Sequence, residues 1–123
     1  MAVTKADVAD NLATYLITDT DADTTAEANI TGNSSGNIYC VYGDNTTNQV
    51  ASYVKIADNS SATSSSTVPD FVFYFPLGRA VSYIVGDGHA YSAGVSFWGT
   101  STVASGSSQT EPASLFTVRV LAT

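Results

Sequence analysis

The sequence predicts an all-β chain, an antiparallel β-sandwich of jelly-roll-like character, on three observations. Charged residues make up 12% of the 123 residues, about half the usual ~25%. The polar surface must therefore be built from Ser, Thr, Asn and Gln, which suits strands and turns better than helices. The apolar residues are rich in Val, Ile, Tyr and Phe, and they alternate with polar ones in short runs separated by Gly, Pro, Asn and Asp. One chain of this length has room for one core.

The clearest run is Phe71–Phe75. Alternation across a strand puts Phe71, Phe73 and Phe75 on one face and Val72 and Tyr74 on the other. Burying one such ring contributes ~1.5–3 kcal/mol, so three on one face commit it to a core. Phe75-Pro76-Leu77-Gly78 reads as a type I turn with Pro at i+1 and Gly at i+3. It leads into a strand over Arg79–Val85, with Val81, Tyr83 and Val85 inward. Gly86-Asp87-Gly88 is expected to break that strand, and Gly94–Phe97 to complete a three-stranded sheet.

The remaining elements follow in chain order. Thr4-Lys5-Ala6-Asp7 resembles a capping box, with Val8, Leu12, Tyr15 and Leu16 behind it at helical spacing. The competing reading is an extended arm with a short strand at Thr14–Thr18. Asp19–Ala28 is acidic, Thr-rich and free of large apolar residues, the composition of a mobile linker or of an arm that orders against a partner. The expected division is an extension over 1–28, arm or short helix, and a sandwich over 29–123. Strands are expected over Asn37–Tyr42, over Tyr53–Ala57 (Val54 and Ile56 on one face, Tyr53 and Lys55 on the other) and over Leu115–Leu121, with Phe116, Val118 and Val120 inward. Asn59–Thr67 and Thr100–Ala113, nearly all small and polar, read as solvated loops.

Net charge is −7 with four Lys+Arg. Such a chain has no means of neutralising a row of phosphates, which argues against nucleic acid, and against anionic membrane surfaces for the same reason. No apolar run approaches the ~20 residues that span a bilayer, and the N-terminus shows no signal-peptide pattern. Cys40, the one cysteine, sits in an apolar run and reads as a small buried hydrophobe.

No constellation makes a strong case for catalysis, a cofactor or a metal. Asp19, Asp21 and Asp23 alternate like the first ligands of an EF-hand loop, but Thr24 stands where its glycine belongs and Ile30 where its glutamate belongs. His89, with Asp87 and Ser92 near it in sequence, offers the parts of a Ser/His/Asp set without the spacing that would show them in reach; a turn histidine is the simpler reading. Asn29, Asn33, Asn45 and Asn59 open glycosylation-type tripeptides that this composition produces unaided. Trp98, Tyr91 and the other tyrosines are either core or, if exposed, platforms for sugars or for a protein surface.

The order of these features resembles a family of small virion proteins of tailed bacteriophages. The resemblance rests on SGNIYCVYGDNTTN at Ser35–Asn48, SYVKIAD at Ser52–Asp58, VPDFVFYFPLG at Val68–Gly78, VGDGHAYSAGVSF at Val85–Phe97 and LFTVRVL at Leu115–Leu121. It implies a non-enzymatic capsid decoration (cement) protein on the outer surface of the phage head. Its partner would be the major capsid protein, bound at junctions between subunits, often by a homotrimer at a three-fold position. The N-terminal arm would be a grip whose removal leaves the sandwich folded. The competing function is a tail-fibre or tail-tip sandwich that binds host glycans; a free-standing carbohydrate-binding module is a third.

Overall fold

The alternation in the last strand sets the architecture. In β8 (Thr117–Ala122) Val118, Val120 and Ala122 are buried and Arg119 points out. The computed structural model, which describes residues 3–7 and 13–123, places β8 in the middle of a five-stranded antiparallel sheet. Its order is β1 (Val3–Asp7), β2 (Tyr15–Asp19), β8, β3 (Gly36–Asp44), β6 (Ala80–Tyr91). Facing it is a three-stranded sheet ordered β5 (Phe71–Phe75), β4 (Ser52–Asp58), β7 (Val95–Thr100). Between them lies one core that includes Ile17, Val41, Val54, Ile56, Phe75, Phe97, Phe116, Val118 and Val120. The fold is the expected all-β sandwich, with no helix among the described residues.

Several expectations are corrected. β5 and β6 are not partners in one sheet: β5 bonds to β4, and β6 bonds to β3 in the opposite sheet. Phe75-Pro76-Leu77-Gly78 is therefore a corner between sheets. The Gly78 N–H donates to the carbonyls of Asn45 and Asn48, at 3.1 Å each, rather than closing a hairpin. Alternation tells which side chains share a face, not which strand lies alongside. Here the inward rings of the two strands meet across the core, Tyr83 lying 5.2 Å from Phe73 and 5.5 Å from Phe75. Buried Asn45 holds the corner, its Nδ2 within 3.0–3.2 Å of the carbonyls of Val50, Phe75 and Pro76.

Gly86-Asp87-Gly88 does not end its strand. Ile84 pairs with Cys40 and His89 with Ile38, so Val85–Gly88 form a bulge opposite Tyr39 and β6 resumes to Tyr91. Gly88, at φ 92°, has the Tyr39 ring where a Cβ would stand. The matching irregularity in β3 turns both Ile38 and Val41 inward despite their odd spacing.

Of the two N-terminal readings the extended one holds, its strand at Thr14–Thr18 being β2 at Tyr15–Asp19. Thr4–Asp7 belong to β1, not to a helix cap, and β2 lies between β1 and β8. Val8 and Leu12, part of the helical spacing, lie outside the described residues. Asp19–Ala28 is not a free linker. Ala22 enters the core, the Ala22 N–H donates to Phe116 O, and Glu27 exchanges both backbone bonds with Phe97. Small side chains hid this segment, because its attachment is through the backbone. Residues 1–28 supply β1, β2 and the core residue Ile17, so their removal takes two strands from the five-stranded sheet.

Candidate docking surfaces

The residues singled out for chemistry do not come together. Asp19 is buried and accepts the Asp21 N–H at 3.0 Å, while Asp23 accepts the Thr25 N–H at 2.8 Å. Among the described residues no three His, Cys, Asp or Glu side chains converge on a metal position. Burial is the main cause that pushes the Asp19 carboxyl up to about 6, with the charges of Glu27, Asp23 and Asp21 adding to it against the Asp21 N–H. His89 lies within β6 rather than in a turn, its ring edge-on to Phe71 at 4.5 Å. Ser92 instead bonds to Asp58, through both its N–H and its Oγ. Burial works to raise the Asp58 pKa, but the N–H groups of Ser92, Ala93 and Gly94 and the Ser92 hydroxyl outweigh it and hold the carboxylate low. That nest ties the β6–β7 turn to the end of β4, a structural role.

Trp98 and Tyr91 are core residues, so neither is a platform. Tyr74, 49% exposed, remains on the surface, its ring 5.7 Å from that of Tyr53. Asn45 is fully buried and has no room for a glycan.

The outer face of the three-stranded sheet is covered. Lys55 and Trp98, neighbours across β4 and β7, point away from the main core, yet both are buried. Trp98 packs with Ala57, Ala62 and Ala26. Lys55 Nζ donates to Ala104 O at 2.6 Å and Gln109 Oε1 at 2.9 Å, and burial lowers its pKa. The two loops expected to be solvated are thus a lid on this face. Ser101 and Thr110 are bonded to each other, and Ser96 Oγ donates to Asn59 O.

Among the described residues no loop covers the outer face of the five-stranded sheet in this way. Register places Ala6, Leu16, Leu121, Cys40 and Ile84 side by side across all five strands. Ile84 is 75% exposed, and Leu121, Cys40, Tyr39 and Ile84 line a groove of about 160 Å³. Cys40 therefore faces outward, half-buried, instead of joining the core; burial pushes its thiol pKa up, away from reactivity.

A second opening lies between the edge strands β5 and β6. Ile38, Ile56, Phe71, Phe73, Val85 and His89 line a slot of about 120 Å³ there, and Asp58 and Asp70 line its continuation. Among the described residues neither outer edge carries a further strand. By contrast, the outer edge of β7 is bonded by Asp23, Glu27 and Ile30. The composition hid both openings, although Tyr83-Ile84-Val85 and Val120-Leu121-Ala122, apolar on both faces, carried the signal. Comparison with protein-family models, with curated proteins and with solved structures finds no match to this chain.

Proposed function

We propose that the chain is a structural decoration (cement) protein of a tailed-phage head. It docks on the outer surface of the shell, at junctions between major capsid subunits, through its open β5–β6 side. The observation that carries the reading is that slot: two adjacent strand edges frame an apolar opening of about 120 Å³, room for one aliphatic side chain. Free edges offer backbone N–H and C=O groups to an extended segment of a partner, and the slot offers it one side-chain pocket. Asp58 and Asp70 beside the slot favour a partner segment that carries Lys or Arg. The resemblance noted above supplies the identity of the partner. Binding to the mature shell stabilises it by mass action, and many copies multiply a modest contact.

The glycan-binding alternative loses two of its named aromatics, Trp98 and Tyr91, to the interior. Mixing the protein with heads assembled without it and pelleting them tests the proposal. Saturable co-sedimentation is expected, lowered at least about tenfold in affinity (roughly 1.4 kcal/mol) by His89→Lys, which sets a cation in the apolar slot and opposes a cationic partner segment. Failure to pellet with heads, or pelleting with host cells in a manner blocked by free sugar, contradicts it.

A further inference from the structure

We propose that the bare outer face of the five-stranded sheet is a self-association surface, on which two copies of this chain meet sheet to sheet about a two-fold axis. The proposal does not depend on the phage reading, because it uses a different face.

Charge says what covers this face. The chain carries −7, so two copies repel wherever acidic surfaces meet. The three outward rows of the sheet are nearly free of charge. The first is Ala6, Leu16, Leu121, Cys40 and Ile84; the second is Thr4, Thr18, Arg119, Tyr42 and Ser82; the third is Thr117, Asp44 and Ala80. Together they hold one cation, Arg119, stacked at 5.2 Å on the Tyr42 ring, and one anion, Asp44, which feels the Arg119 charge, with Asp87 beside them in the β6 bulge. A strongly acidic chain thus keeps, among its described residues, a nearly neutral face with one apolar row across it. Such a face suits a like-charged copy, which any other broad approach disfavours. Size agrees: five strands ~4.8 Å apart and about five residues long make roughly 400 Å² in plan. Corrugated by side chains, that is on the order of 600 Å² of accessible surface per copy, the low end for a specific interface.

The geometry favours two-fold pairing. Flat sheets stack face to face at ~10 Å, and one patch that pairs with its own image closes as a dimer. A three-fold ring, which the resemblance implies, needs two different complementary patches instead.

Sedimentation equilibrium of the full chain over a wide concentration range tests this. The expected result is a rise from the 12.7 kDa monomer to twice that mass, with association strengthened by salt as the copies' repulsion is screened. Ile84→Lys should weaken association at least tenfold while the circular dichroism spectrum stays native, because Ile84 lies on the surface of the monomer. Val72→Lys, on the outward side of the other sheet, should leave it unchanged. Alkylation of Cys40 should slow as protein concentration rises. A monomer at every concentration, a trimer, or a dimer indifferent to Ile84→Lys overturns the proposal.

Discussion

The two outer faces of this sandwich are opposites. On the three-stranded sheet the chain covers Trp98 and even a lysine, Lys55, with loops made of Ser, Thr and Ala. On the five-stranded sheet it leaves Ile84 and Leu121 uncovered, although covering an aliphatic side chain is the more favourable of the two burials. The difference teaches that bare apolar surface here does not reflect a shortage of chain. Large exposed apolar patches mark interaction sites, and this one lies on the face that no described loop covers.

Substitutions that treat the two faces as equals should break the comparison. The largest effect is expected for Trp98→Ala, about 3–5 kcal/mol of unfolding free energy in urea titrations, as for any large buried side chain. If Trp98→Ala were nearly neutral, the loops would not be a true cover. Asn45→Ala should cost about 2–3 kcal/mol, since three buried or half-buried carbonyls at the β5–β6 corner lose their donor. Lys55→Met keeps the apolar stem and removes the ammonium. It should cost about 0.5–1.5 kcal/mol through Gln109 Oε1, which loses its donor while Ala104 O keeps the Gln109 Nε2 bond, and speed proteolysis within Thr100–Ala113. Ile84→Ser, on the bare face, should change monomer stability by less than about 0.5 kcal/mol.

A pH titration sharpens the contrast further. Asp19 is buried and its carboxyl titrates near 6 in the folded chain, above its ordinary 3.8. The folded state therefore binds this proton more tightly than the unfolded state. Its contribution is fully present below about pH 4 and is lost as pH rises through 6. Stability should fall by about 1–2 kcal/mol across that window, and Asp19→Asn should flatten the slope. Asp58 works in the opposite sense: its carboxylate is held low, so its contribution is lost only as pH drops below the ordinary aspartate range.

What the sequence made legible was the faces of strands. Phe75, Val118 and Val120 lie where alternation put them, and Val54 and Ile56 likewise. Neighbour relations were hidden, because period two says nothing about which strand bonds to which; β5 and β6 follow each other in sequence yet sit in different sheets. The lid, and the segment Ala22–Ile30 along the edge of β7, were hidden for another reason. Ala22, Ala26 and Ala62 bury too little to show in a hydrophobic pattern, and the bonds from Asp23, Glu27 and Ile30 to β7 are made by backbone atoms that every residue has. Lys55 read as a surface side chain because lysine is seldom fully buried. Of the docking surfaces, the outward Ile84 and Leu121 were visible as apolar residues on the wrong side of their strands. The slot needed the third dimension, since Ile38, Ile56, Phe73 and His89 come from four different strands.

Hydroxyl-radical footprinting of the protein free and bound to heads tests the proposed docking most directly. Protection is expected to be confined to Phe71–Phe75 and to the Val85–Tyr91 part of β6, with Thr100–Ala113 unchanged. Protection of the Thr100–Ala113 lid, with Phe71 and Phe73 still fully reactive, would contradict it.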